Sequence, residues 1–189
     1  MNFIILHGTL GNPKDNWFPW LSEKLESLGH TTHRPQLPTP EGQNLPNWVG
    51  VIDSCVKKLD VPSAQIVFVA HSMSPYAVCH YLTTITTSVS SCYFVAPFAK
   101  RLPDTPEPYP SLNNPFVDTP IDWNYVRDHA GKVYCFASDN DPYVPLPIAE
   151  NFAVNIGVDC TVVSHAGHFN AASGFTEFPL LLQTIQKTI

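Results

Sequence analysis

The chain has 189 residues, 44% of them hydrophobic, which is enough for one fully cored domain spanning 1–189 and argues against two. Ten Lys and Arg stand against 16 Asp and Glu, so no basic stripe is available to neutralise phosphates, and nucleic acid is not expected as a partner. The five cysteines are odd in number and scattered, mostly inside apolar runs, as expected of free thiols in a reducing cytoplasm.

The opening MNFIILHG lacks the basic segment and the length of an export signal, and no apolar stretch approaches membrane-spanning length. A soluble, unexported protein with no membrane association is the expectation. Residues 2–6, NFIIL, read as a strand ending at His7-Gly8, and Leu21, Leu25 and Leu28 fall at helical spacing before Gly29. HTTHRPQLP is a weaker strand candidate. A helix from about Pro46 to Leu59 follows, with Trp48, Ile52, Cys55 and Leu59 on one face. QIVFVA and SSCYFVA are continuous runs rich in β-branched residues, of the length expected for strands buried on both faces, with the helical YAVCHYL between them. Another strand, VYCFAS, precedes a helix near Ala149, Phe152, Ala153 and Ile156. The strand CTVVS and a final helix through Leu181, Leu182 and Ile185 close the series. This alternation predicts an α/β domain with a mostly parallel sheet of about six strands and helices on both faces.

Between Phe98 and Gly131 the rhythm fails, because RLPDTPEPYPSLNNPFVDTP carries six prolines that remove amide donors and forbid a long helix. An irregular loop packed over one edge of the domain is expected there.

Ser72 lies in AHSMS, directly after QIVFVA and before a helical segment. A buried strand, a sharp turn carrying serine between small residues, and a helix resemble the nucleophile elbow of α/β-hydrolases. Ala70 and Ser74 stand where that pattern prefers glycine, yet both are small enough for strand and helix to approach. For Ser72 alone, a helix N-cap is the plainer reading. The Met73 amide, at the helix start, can donate to a developing oxyanion. His7-Gly8-Thr9 follows the first strand, where this fold places a second oxyanion amide, and the Thr9 backbone is the candidate. The plainer reading is that Gly8 ends the strand with a positive φ.

The acid is expected after VYCFAS, where Asp139 and Asp141 compete, with Asp122 a more distant third. Asp141 is preferred because DPYVP resembles the D-x-x-V-P turn that carries the acid in this fold, and an Asx-turn role is compatible with that. The base is His168 in HAGHF, beyond the last strand, with Gly167 freeing the loop to turn and His165 as the rival. His30 with His33, and His165 with His168, suggest metal ligands only superficially, since no HExxH or cysteine pair accompanies them. No metal is expected. Trp17, Tyr109, Phe116 and Trp123 either shape an apolar acyl pocket or fill core.

With Ser72, Asp141 and His168 in chain order, the sequence resembles the small serine-hydrolase family typified by retinoblastoma-binding protein 9. The HG after the first strand, NWFPWL at 16–21, the AHS elbow, FAKRLP at 98–103, SDNDPYVP and GHF carry the likeness. The resemblance implies a compact α/β-hydrolase fold without a large cap domain. The expected activity is hydrolysis of a small carboxylic ester through an acyl-enzyme, with no cofactor. Ser72 would be nucleophile, His168 base and Asp141 its orienting acid. The alternatives are a weak or inactive member acting as a binding protein, and acyl transfer to an acceptor other than water.

Overall fold

A computed structural model describes residues 1–189. Six strands form one sheet: β1 (Asn2–Leu6), β2 (Thr31–His33), β3 (Ile66–His71), β4 (Ser91–Val95), β5 (Lys132–Ser138) and β6 (Cys160–Val163). Their order across the sheet is β2-β1-β3-β4-β5-β6, and every pairing is parallel. Seven helices connect or flank them: α1 (Phe18–Ser27), α2 (Leu45–Leu59), α3 (Ser74–Leu82), α4 (Tyr109–Val117), α5 (Trp123–His129), α6 (Leu146–Ile156) and α7 (Pro179–Thr188). No helix is long and apolar enough to cross a membrane.

The strands are continuous apolar runs because both faces are covered. Alternate residues feed two cores: Ile4, Leu6, Phe68, Ala70, Phe94 and Cys135 point to one, and Phe3, Ile5, Val67, Val69, Tyr93 and Phe136 to the other. Trp48 and Ile52 of α2, Cys79 and Leu82 of α3, and Phe152 of α6 close the first core. Leu21 and Leu25 of α1, with Leu181 and Ile185 of α7, close the second. Every residue of β3 and β4 is buried, as their composition requires. A fully buried Phe such as Phe68 contributes about 2–3 kcal/mol of apolar burial, so truncating one central strand residue removes a sizeable share of a domain's net stability.

The segment between β4 and β5 departs from the expected irregular loop, since it contains α4 and α5. Helix formation survives the prolines by position. Pro110 occupies the first turn of α4, where its missing amide has no partner to lose, and only Pro115 sits inside the helix. Asp122 caps α5, its carboxylate accepting from the Asn124 and Tyr125 amides at 3.1 Å each. These helices are short and joined by a turn and a few residues of irregular chain, so no separate cap domain forms.

The topology fixes where a site can lie. From β1 the chain moves outward to β2, then crosses back to β3 on the other side of β1, so the connections beyond the carboxyl ends of β1 and β3 diverge. Divergence at such a switch point opens a crevice above the sheet. The register continues Leu6 opposite Ala70, which brings Gly8 and Ser72 side by side at that crevice.

Candidate active site

Ser72 occupies the turn between β3 and α3 with φ 64°, a left-handed conformation that costs a non-glycine residue energy and persists only where neighbours enforce it. Its amide donates to Val95 O at 2.9 Å, tying the turn to β4. Ala70 is fully buried, and Ser74 does more than be small. The Ser74 hydroxyl accepts from the His71 amide at 3.0 Å, and its proton is shared between Leu6 O at 3.1 Å and His71 O at 2.9 Å. The side chain that replaces glycine thus stitches the elbow to β1.

The structure brings Ser72, His168 and Asp141 together. His168 Nε2 lies 3.0 Å from Ser72 Oγ, and its Nδ1 lies 2.7 Å from Asp141 Oδ2. Because a carboxylate only accepts, Nδ1 carries the proton, leaving Nε2 to accept from the serine hydroxyl. Asp141 also performs the turn role: its Oδ1 accepts from the Tyr143 and Val144 amides at 2.8 and 3.0 Å. The Asp141 side chain is only 1% exposed. A hydroxyl joined to an imidazole that a buried carboxylate orients can give up its proton as the oxygen attacks an electrophile.

The rivals fall elsewhere. Asp139 grips the backbone, its Oδ1 accepting from the His165 amide at 2.7 Å and its Oδ2 from Ser164 Oγ at 2.8 Å; these bonds hold its carboxyl below the usual carboxylate range. His165 is exposed and Asp122 caps α5. Around Asp139 the pattern continues residue by residue. Ser138 Oγ accepts from the Ala166 amide at 3.1 Å, Asn140 Oδ1 from the Gly167 amide at 2.8 Å, and Asp141 meets the His168 ring. Side chains 138–141 therefore clasp residues 164–168: Asp139 takes 164 and 165, Ser138 takes 166, Asn140 takes 167 and Asp141 takes 168. Gly167 has φ 54°, and a Cβ there would run into the Ser173 side chain, so glycine is needed on both counts.

Gly8 serves differently from the expected positive-φ strand end. Its φ is not positive; instead, a Cβ there would stand 2.6 Å from Ser72 Cβ. The glycine lets β1 and the elbow touch. The Gly8 carbonyl is held by His7 Nδ1 at 2.8 Å and by the Gly11 amide at 3.1 Å. His7 Nε2 accepts from the Leu37 amide at 2.9 Å, which fixes the proton on Nδ1, and burial pushes this imidazole down from its ordinary value. In a trans peptide the N–H opposes the C=O, so pinning Gly8 O also aims the Thr9 amide. Neither the Thr9 nor the Met73 amide has an acceptor within the chain. Both remain available to an oxyanion at Ser72.

Sequence reasoning takes His71 only as a structural neighbour of Ser72, and its tie to the histidine loop comes from the structure. This ring is buried, and its Nε2 donates to His168 O at 2.8 Å, tethering the base loop to the elbow. Burial, and then the neighbouring His168 ring, push its pKa down to about 3, so it stays neutral. Its only sequence signal is a polar residue at the end of an otherwise apolar strand.

A cavity of about 200 Å³ opens over Ser72 and His168. Of the four aromatics weighed as an acyl pocket, only Tyr109 lines it. Trp17 and Phe116 are buried in the two cores, and Trp123 packs on Phe152. The lining is mainly polar, and the β4–β5 segment contributes Leu102, Thr105, Tyr109 and Asn113 to it. No cluster of His, Cys, Asp and Glu suited to a metal ion occurs.

Comparison with known proteins places this architecture. YdeN of Bacillus subtilis (strain 168) is 25% identical over 183 residues, covering 96% of this chain and 92% of YdeN. The crystal structure of the ydeN gene product superposes with a TM-score of 0.89 at 24% identity, covering 99% of this chain and 97% of that one. Est1E from Butyrivibrio proteoclasticus gives a TM-score of 0.69 at 15% identity, covering 98% and 88%. The carboxylesterase CesB from Bacillus subtilis gives 0.63 at 13% identity, covering 99% and 82%. The shared fold is that of the α/β-hydrolases. A family model described as serine hydrolase matches residues 3–187, nearly the whole length over which the sheet, the elbow and both site loops are laid out, and the chain belongs to that serine hydrolase family.

Proposed function

We propose that this hydrolase cleaves small carboxylic esters through an acyl-enzyme on Ser72. The observation that carries the reading is the unbroken relay from Asp141 Oδ2 through His168 to Ser72 Oγ, at 2.7 and 3.0 Å, beneath an open cavity. His168 Nε2 takes the serine proton as Oγ attacks the ester carbonyl, and Asp141 holds the tautomer and stabilises the imidazolium. The Thr9 and Met73 amides receive the oxyanion; each such donor is worth about 3–4 kcal/mol of barrier. The imidazolium then protonates the departing alkoxide. Water enters, gives a proton to the same nitrogen and attacks the acyl carbonyl; as the bond to Ser72 Oγ breaks, the imidazolium returns that proton to Oγ, and the acid is released with the free enzyme restored. No cofactor takes part.

The cavity, about 200 Å³, is smaller than the roughly 300–1,000 Å³ of sites for drug-sized ligands, which supports a small substrate. The likeness to the group typified by retinoblastoma-binding protein 9 rests on the sequence motifs and supports the same chemistry. Five free cysteines support a reducing cytoplasm as its compartment. A fluorophosphonate probe tests the reading: the wild type is expected to be labelled and Ser72→Ala, folded by circular dichroism, to be blank. A wild type that stays unlabelled would favour a binding protein with a vestigial site.

A further inference from the structure

Three asparagines, Asn16, Asn113 and Asn170, line the cavity over Ser72, and in each the amide oxygen is already used while the NH2 group is not. The Ala171 amide donates to Asn16 Oδ1 at 2.9 Å, and the Ser173 amide donates to Asn170 Oδ1 at 3.0 Å. Since a backbone N–H only donates, these two side chains cannot be flipped without losing a bond.

Asn113 is oriented by a longer chain of bonds. The Leu10 amide donates to Thr39 Oγ1 at 2.9 Å, and the Thr39 hydroxyl donates to Gln43 Oε1 at 2.6 Å. The Gln43 nitrogen lies 3.4 Å from Leu112 O, a carbonyl that only accepts, which fixes this end as the NH2 group; it donates to Thr9 Oγ1 at 2.9 Å and to Asn113 Oδ1 at 3.3 Å, and the Thr9 hydroxyl donates to Asn113 Oδ1 at 2.5 Å. Direction is thus set from the Leu112 carbonyl through the Gln43 NH2 group to the Asn113 oxygen. Its last member, Asn113, is 6% exposed and keeps an NH2 group with no acceptor in the chain.

The same wall offers acceptors. Asp15, at the rim, makes no ion pair, and the Thr105 hydroxyl also lines the cavity. No Lys or Arg lines it, so an anionic substrate finds no countercharge, and Leu10 and Leu102 are too few to house a long acyl chain. A hydroxyl accepts from amide NH2, donates to carboxylate or hydroxyl, carries no charge and is compact enough for several to fit a cavity of about 200 Å³. We propose that the substrate is a short ester bearing hydroxyl groups close to the scissile carbonyl, recognised by the NH2 groups of Asn16, Asn113 and Asn170. This inference rests on reading Ser72 as the nucleophile.

Two matched pairs of esters test it. Glyceryl monoacetate against 2-methylbutyl acetate places the hydroxyls on the alcohol side, and methyl glycerate against methyl 2-methylbutanoate places them on the acyl side; within each pair methyl replaces hydroxyl. The wild type is expected to favour the hydroxylated member of at least one pair by about tenfold or more in kcat/KM, since a site built for hydroxyls leaves its donors unpaired on the isostere. The pair that shows the preference assigns the side. Asn→Leu at 16, 113 or 170 keeps the volume and removes the donor without supplying a new acceptor for a substrate hydroxyl, so each is expected to lower the hydroxylated-to-apolar ratio by about three- to tenfold. Because the ratio is read, a general effect of losing the amide oxygen on the loop cancels.

A protein that the fluorophosphonate labels, but that hydrolyses neither hydroxylated ester or treats both members of each pair alike, overturns this inference and leaves the serine-hydrolase reading standing. Asparagine variants that lower both members equally overturn it as well. A protein that neither the probe nor any ester engages overturns the serine-hydrolase reading, and this inference with it.

Discussion

Replacing Asp141 by Asn separates the orienting role of the carboxylate from its structural one. The Tyr143 and Val144 amides both donate to Asp141 Oδ1, and an asparagine oxygen can take the same two bonds, so the turn survives. The NH2 group then faces His168 Nδ1 in place of Oδ2, which now stands 2.7 Å away. Two donors cannot face each other. The imidazole must accept at Nδ1 and carry its proton on Nε2, toward Ser72, where a base is needed. An inverted tautomer of this kind costs a Ser-His-Asp hydrolase about 10,000-fold in kcat, or about 5 kcal/mol of barrier. Asp139→Asn retains an acceptor for the His165 amide and leaves the His168 tautomer alone, so its loss is expected to stay below about fivefold. The assay is the second-order rate of fluorophosphonate inactivation, with kcat/KM on a short ester beside it and circular dichroism as the folding control. If Asp139→Asn abolishes labelling while Asp141→Asn preserves it, the assignment of the acid is wrong.

His71 makes stability depend on pH. Burial lowers its pKa from 6.5 to about 3, so as pH falls below 6.5 the unfolded chain takes up the proton first, and stability present above that pH is lost toward pH 3. At pH 5 the loss from this group is about 2 kcal/mol relative to pH 8. Urea unfolding of His71→Phe at the two pH values should show a smaller difference than wild type, and equal differences would refute the claim. Gly8→Ala drives a Cβ against Ser72 Cβ at 2.6 Å, and displacing the serine by even a fraction of that distance is expected to lower the labelling rate about 100-fold or more, read by probe kinetics at constant helicity. Ser74→Ala leaves the buried His71 amide without its acceptor, and urea unfolding is expected to show a loss of about 1–3 kcal/mol.

What could be read from the sequence followed from local physics. The strands were legible because β3 and β4 are buried on both faces and so consist of unbroken apolar runs. The elbow, the acid turn and the histidine loop were legible because each follows a strand end and carries its own turn chemistry, as Asp141 and Gly167 do. Helices α4 and α5 were hidden because prolines read as breakers, although Pro110 falls where a helix tolerates it. The DPYVP turn singled out Asp141 over Asp139, but what each carboxylate grips, the His168 ring 27 residues on and the His165 amide 26 residues on, is a long-range matter that the turn does not encode. The polar cavity was illegible for the same reason: Asn16, Asn113 and Asn170 come from three distant loops and helices, and their hydrogen bonds alone decide which end of each amide is free.

The clasp between residues 138–141 and 164–168 has a bearing on how this protein tolerates change. Three of its grips close on main-chain amides, those of His165, Ala166 and Gly167, which any residue other than proline supplies. The side chains of His165 and Ala166 are therefore not specified by the clasp, while those of Ser138, Asp139 and Asn140 are. Randomising 138–140 should leave few functional survivors, whereas position 165, whose side chain is exposed, should accept most residues that tolerate its left-handed backbone; Ala166 is held small by the core it packs in rather than by the clasp. The information that sets the position of the histidine is written mostly in the loop of the aspartate.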